Sequence, residues 1–254
     1  MRVTILGCSG GIAENLRTTC LMLDNDILVD VGTGAGDLTR SDMLKIESVF
    51  LTHSHLDHIA LLPMLVNMVG PYREGPLMVH ALPETIATLK EHMFNFHLWP
   101  DYTVLPSTAK PYLVFNPIRI GETMELSGRK ITPLPVRHSV PSVAYQIDSG
   151  KGSFVFSGDT SYHEPFWDAL SSIRNLRYLM IETNYLDRNT AHSDAALHMR
   201  PELLAQGLKR LGKPIQFLIT HMEPGSEDDI MTEIEATAGE FMPQRLKRGQ
   251  VFSL

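Results

Sequence analysis

The chain has 254 residues, 43% of them hydrophobic, and a formal net charge of −7. That length and apolar content suffice for one large core and sit near the upper limit of a single domain, so one domain over residues 1–254 is expected. The negative charge and the lack of a dense Lys/Arg block exclude a long polyanion gripped through many phosphate contacts, so a nucleic-acid polymer is not the expected partner.

The opening "MRVTILGCSG" is a strand-like apolar run that stops at Gly7, too short for a signal-peptide core. No stretch approaches ~18 uninterrupted apolar residues, so the expectation is a cytoplasmic protein without a membrane partner. Cys8 and Cys20 form no Cys-x-x-Cys pair and read as core or loop hydrophobes. The Gly-rich stretch "GCSGG", residues 7–11, reads as a tight turn after the first strand. Further on, short β-branched or apolar runs alternate with helical patterns, which predicts an α/β layered fold. Three of those runs change to a metal-ligand type of residue at their last position: "SVFLTH" ends in His53, "SFVFSGD" in Asp159 and "IQFLITH" in His221. In α/β sheets that edge is where crevices form. His138 lies in a Pro-flanked loop before another strand-like run and is a fourth candidate for the same crevice. In residues 82–106, Ile86, Leu89, Met93 and Phe96 fall at helical spacing and predict one buried helix face. The isolated His80, His92, His97 and His163 read as ordinary core or surface residues.

The string "HSHLDH", residues 53–58, is different. His53 and His55 are two apart at a strand end, so both side chains leave on one side, and Asp57 and His58 follow as the chain turns toward a helix. Packing these groups together without a ligand would cost desolvation and charge repulsion with nothing to offset them. Imidazoles with carboxylates suit a borderline divalent ion, zinc first, with manganese and iron as alternatives. Adding His138, Asp159 and His221 gives seven ligands, which points to two ions, with Asp159 able to bridge them through its two oxygens. Two ions about 3.5–4 Å apart bring the pKa of a shared water to near 7.

In its order, "HSHLDH", then His138, then the "SGD" of Asp159, then the "LITH" of His221, the chain resembles the metallo-β-lactamase superfamily. The resemblance spans essentially the whole sequence and implies a four-layer αββα sandwich. It also implies that one metal takes His53, His55 and His138, that the other takes Asp57, His58 and His221, that Asp159 bridges, and that Asp30 in "ILVDVGTGAG" supports the ligands from behind. Residues 82–106 and "LHMRPELL", residues 197–204, are similar to class II 3′,5′-cyclic-nucleotide phosphodiesterases, although Leu61 and Arg200 depart from that pattern. The resemblance implies cleavage of a cyclic nucleotide (cAMP or cGMP) to a 5′-nucleotide, with Asp57 and His198 catalytic. His198 lies just before a helix start, where backbone N–H groups favour an anion, and is placed to contact the phosphate or protonate the leaving group. His192, assigned to a loop, is its competitor. Asn95, His97 and Trp99 are expected to line the mouth and stack a purine. The alternatives are a tRNA 3′-processing phosphodiesterase, whose basic Gly/Pro-rich arm is not visible here, and a thioester or lactone hydrolase. Outside hydrolysis stand a di-iron redox protein, which typically has Glu where this chain has His55, and a metal-sensing module. A homodimer is left open.

Overall fold

Period-two burial begins the chain: in the strand Arg2–Gly7, Val3 and Ile5 are fully buried while Arg2 is exposed and Thr4 and Leu6 are half-buried. That alternation marks a strand with one face in a core. The structure, a computed structural model, describes residues 1–254. Arg2–Gly7 belongs to a seven-stranded sheet ordered Val251–Ser253, Arg2–Gly7, Cys20–Leu23, Ile27–Val29, Ser48–Phe50, Leu77–Ala81 and Leu113–Pro117. A second seven-stranded sheet runs Gln244–Arg245, Gln216–Thr220, Leu176–Glu182, Ser153–Phe156, Val143–Asp148, Arg129–Pro135 and Met124–Leu126.

Three apolar cores separate the layers. Ile5, Val29 and Phe50 of the first sheet meet Tyr145, Phe154 and Met180 of the second in a core between the sheets. Helices Leu62–Val69 and Pro83–His92 cover the outer face of the first sheet through Leu62, Leu65, Val66, Ile86 and Leu89. On the outer face of the second sheet, Glu164–Ser172, Pro201–Leu211 and Glu227–Ala238 bury Trp167, Leu208 and Ile234. This is the expected four-layer αββα sandwich. The sheets are also joined by polar contacts: Tyr145 Oη donates to the carbonyl of Leu51 at 2.8 Å, and the buried Arg129 donates through Nη2 to Asp26 Oδ2 at 2.6 Å. No helix is long and apolar enough to cross a membrane.

Strand direction decides where chemistry can gather. Ile27–Val29, Ser48–Phe50, Leu77–Ala81 and Leu113–Pro117 are mutually parallel, as are Ser153–Phe156, Leu176–Glu182 and Gln216–Thr220. Asp30, His53, Asp159, Glu182 and His221 each stand at or just beyond the C-terminal end of one of these strands.

The same topology corrects one expectation. Helix Pro83–His92 starts at the C-terminal end of Leu77–Ala81, so Asn95, His97 and Trp99 follow a ten-residue helix that travels about 15 Å back along the sheet. The chain there docks at the opposite edge, where Leu113 N donates to the carbonyl of Tyr102. Asn95 closes a turn by accepting from the N–H groups of His97 and Leu98, and Trp99 packs against the outer core of the first sheet. These three residues therefore do not line the crevice. Phe96 also departs from the helical spacing: the helix has ended at His92, Phe96 has φ +62°, and its ring is exposed.

Candidate metal centre

His53 lies three residues beyond the strand Ser48–Phe50 and is completely buried, and His55 occupies the N-cap position of the short helix Leu56–Ile59, which carries Asp57 and His58. Val31 N donates to the carbonyl of His58 at 2.6 Å, fixing that helix over the end of Ile27–Val29. His138 follows Arg129–Pro135, Asp159 follows Ser153–Phe156, and His221 follows Gln216–Thr220 with φ +61°.

These seven residues converge into two groups with one shared member. Donor atoms of His53, His55, His138 and Asp159 lie within 4.8 Å of one another, and so do those of Asp57, His58, Asp159 and His221. Asp159 faces the groups with different oxygens. Its Oδ2 is 3.6 Å from His53 Nε2 and 3.9 Å from His138 Nε2, whereas its Oδ1 is 3.2 Å from His58 Nε2 and 3.4 Å from His221 Nε2. Asp57 Oδ2 approaches His221 Nε2 at 3.0 Å.

The hydrogen bonds behind the rings fix which nitrogens face inward. His58 Nδ1 donates to Asp30 Oδ2 at 2.7 Å. The Thr52 hydroxyl donates to the same oxygen at 2.8 Å and accepts from His53 Nδ1 at 2.9 Å, so the buried Asp30 supports two rings, one directly and one through Thr52. His138 Nδ1 donates to the carbonyl of Leu197 at 3.2 Å, and the Asn184 carboxamide lies 3.0 Å from His221 Nδ1. The Nε2 atoms of His53 and His138 are thereby left as lone pairs, and that of His58 becomes one when its ring is neutral, as a metal ligand must be. They face one another and a carboxylate; His53 Nε2 and Asp159 Oδ1 are buried without any hydrogen-bond partner. Acceptors crowded against acceptors in a dry site repel unless positive charge stands between them, so the residues fit divalent ions.

The ionisation of the groups follows the same logic. Burial pushes His53, His55 and His138 down, the last to about 4. Burial also opposes charge on His58, but the Asp159 and Asp30 carboxylates outweigh it and hold the ring well above its ordinary value. For Asp57 and Asp159 burial alone would raise the pKa; the histidines around them reverse this and hold both carboxylates below their usual range.

His198 stands beside this cluster. Its ring centre is 4.9 Å from that of His138 and 5.5 Å from that of His221, and its Nδ1 donates to Glu182 Oε1 at 2.8 Å. Burial disfavours its charge, yet the Glu182 carboxylate lifts its pKa to about 9. Glu182 is itself fully buried and also accepts from Thr160 N at 2.8 Å and Met199 N at 3.2 Å. It was missed in the sequence, although "LMIE" ends a strand in a polar residue just as "FLTH" and "LITH" do.

Three local expectations change. The N-terminus of helix Pro201–Leu211 takes its anion from within the chain, because Glu202 N donates to Asp187 Oδ1 at 3.0 Å. His192 lies exposed in the helix Thr190–Ala196 and not in a loop. The Gly-rich stretch bends at Gly10 and Gly11, but turn geometry does not demand its glycines: none of Gly7, Gly10 and Gly11 has positive φ. A Cβ on Gly7 would stand 1.9 Å from the carbonyl oxygen of Thr18, and one on Gly10 would stand 2.6 Å from that of His221. Close approach is the reason for glycine, and its result is a buttress: His221 N donates to the carbonyl of Cys8 at 2.8 Å.

Comparison with known proteins bears on the family and the fold. Residues 25–222 match the family described as a β-lactamase superfamily domain. The chain is 25% identical to a probable 3′,5′-cyclic-nucleotide phosphodiesterase of Yersinia pestis, over 87% of this chain and 78% of that protein. It is 32% identical to a nuclear ribonuclease Z of Triticum aestivum, over 56% of this chain and 74% of that one. The crystal structure of unliganded yeast PDE1 shares the fold, with a TM-score of 0.83 at 18% identity over 100% of this chain and 99% of that one. A fold of two helix-flanked sheets, a histidine and aspartate cluster at their shared edge and a family match covering most of the sequence lead to one conclusion: the chain belongs to the β-lactamase superfamily and has the metallo-β-lactamase fold.

Proposed function

We propose that the protein is a dinuclear metal-dependent phosphodiesterase that cleaves 3′,5′-cyclic nucleotides to 5′-nucleotides. The observation that carries this reading is the division of seven donors into two groups that share Asp159, one oxygen facing each, with the His198–Glu182 pair alongside. His53, His55 and His138 would hold one ion, Asp57, His58 and His221 the other, with Asp159 between them. Two divalent ions held there, zinc by donor chemistry, would supply a hydroxide nucleophile at neutral pH and positive charge against the phosphoryl oxygens.

The chain's own residues do the rest. Asp30, Thr52 and Asn184 hold the rings in the orientation that keeps their inner nitrogens free. His198, held by Glu182 through Nδ1, presents Nε2 as the group that contacts the phosphate and delivers a proton to the departing 3′ oxygen. Asp57, whose carboxylate stays ionised, orients the attacking water by accepting its hydrogen bond. The similarity to the Yersinia pestis phosphodiesterase over most of both chains supports a cyclic nucleotide as substrate. A second reading, cleavage of RNA in the manner of a ribonuclease Z, has the similarity to the Triticum aestivum protein behind it; the net charge of −7 favours the small substrate.

The test is turnover of a panel by metal-analysed protein: cAMP, cGMP, 2′,3′-cyclic nucleotides, bis-p-nitrophenyl phosphate, a precursor tRNA, a thioester and a lactone. The expected result is two ions per chain and the highest kcat/KM on a 3′,5′-cyclic nucleotide. Faster turnover of precursor tRNA or an acyl compound overturns the substrate, and full activity with at most one ion bound overturns the dinuclear centre.

A further inference from the structure

A line of aromatic rings leads out of the metal centre. From His198 it continues to Tyr185, whose ring meets the imidazole edge-on at 5.8 Å, and from Tyr185 to His192 at 6.4 Å with the planes tilted by 39°. Tyr185 is the first half-exposed residue after the buried run from Leu179 to Asn184, and His192 is exposed. The position of His192 is nevertheless fixed. Ser193, the one buried residue of its helix, donates through Oγ to the carbonyl of His198 at 2.8 Å and accepts from His198 N at 3.0 Å. The segment that carries the proton donor thus also carries one ring of the pair.

We propose that Tyr185 and His192 form a stacking slot for the nucleobase of the substrate, an inference that rests on the reading of the substrate as a nucleotide. A planar base between two rings needs two van der Waals contacts of about 3.5 Å each, so about 7 Å in all. At 6.4 Å between centres and a 39° tilt the two rings are in direct contact, so a base enters only when the exposed His192 imidazole swings aside. The alternative, that Tyr185 is packing material, accounts for its contact with His198 but not for a second, exposed ring held against its half-exposed side next to the crevice. Because every base has a π-face, such a slot separates base-bearing phosphodiesters from baseless ones and discriminates little between adenine and guanine.

The experiment compares cAMP with the 3′,5′-cyclic phosphate of 1-O-methylribose as substrates, and AMP with ribose 5-phosphate as ligands measured by calorimetry on the metal-loaded protein. Tyr185→Leu is expected to lower the preference for the base-bearing member of each pair by about 5- to 100-fold, the worth of one stacked base. His192→Ala is expected to lower it less, and Tyr185→Phe, which keeps the ring, to retain it. Unchanged preference in both Tyr185→Leu and His192→Ala overturns the slot. If wild-type protein leaves cAMP uncut but its preference for AMP still falls in Tyr185→Leu, the slot stands and the reaction assigned above fails. If cAMP is cut and neither variant changes the preference, the reaction stands and the slot fails.

Discussion

Whether His198 is an acid or an ordinary neighbour of Pro201 turns on one hydrogen bond. A histidine whose Nδ1 is held by a buried carboxylate has its orientation and tautomer fixed, and Glu182 provides this at 2.8 Å. His198→Ala is expected to retain both ions while lowering kcat on a cyclic nucleotide by roughly 10²–10⁴-fold. The loss should shrink on a p-nitrophenyl phosphodiester, whose leaving group needs little protonation; equal loss on both substrates would assign His198 to phosphate positioning alone. Glu182→Gln preserves shape but removes the anion, and a loss of about 10–100-fold is expected, as for other groups that orient a site residue from behind. Away from the site, His80 stacks on Phe50 at 4.4 Å and accepts from Asn116 Nδ2 at 3.0 Å, and burial pulls its pKa from 6.5 down to about 4. The unfolded chain binds this proton near pH 6.5 and the folded chain only near 4, so the contribution of His80 to stability is complete above 6.5 and declines as pH falls toward 4. Denaturant unfolding of His80→Leu at pH 7 and pH 5 should show a smaller loss on acidification than wild type does, and parallel losses would remove His80 from the account.

Elements differ in how plainly the sequence announces them. Strands that end in His53, Asp159 and His221 are legible because an apolar run cannot continue into an ionisable residue without leaving the core, and the same rule applied to "LMIE" reaches Glu182. The reach of helix Pro83–His92 is not legible in this way. Its apolar spacing runs on to Phe96, but the direction in which it carries Asn95, His97 and Trp99 depends on the parallel pairing of Leu77–Ala81 with Leu113–Pro117, which is a long-range fact. Tyr185 and His192 are separated from the metal motif by more than a hundred residues, and nothing local marks either ring as adjacent to the other. Gly207, inside helix Pro201–Leu211, is another case in which the neighbour decides. Alanine is favoured over glycine in a helix by about 1 kcal/mol. Yet a Cβ at this position would lie 1.9 Å from Cζ2 of the fully buried Trp167. Displacing a packed indole costs about 1–3 kcal/mol or more, so packing wins. Gly207→Ala is expected to lower the melting temperature, and a rise would show that the two outer helices can part cheaply.

At the scale of the whole molecule, the metal donors and the folding core are separate populations. None of the seven donors belongs to the three apolar clusters, which hold 22, 21 and 18 buried residues. The cores exist because each sheet has two apolar faces to cover, and they are expected to form whether or not ions are present. Ions that bind only the folded chain add stability by mass action, about 4 kcal/mol for each when free metal stands a thousandfold above its Kd. For a chain of this size about 2 °C of melting temperature corresponds to each kcal/mol, so stripping both ions is expected to lower the midpoint by roughly 10–20 °C. The stripped protein should nevertheless keep its far-ultraviolet circular dichroism and unfold in one cooperative step, because the sheets do not depend on the donors for their cover. Asp159→Ala should reproduce most of that drop without any chelator, since the carboxylate that faces both donor groups is the one residue whose loss weakens both sites. Loss of cooperative unfolding on chelation would mean that repulsion among the converging nitrogens and carboxylates pries the sheets apart at their shared edge, and that the ions hold the two halves of the sandwich together as well as serving the reaction.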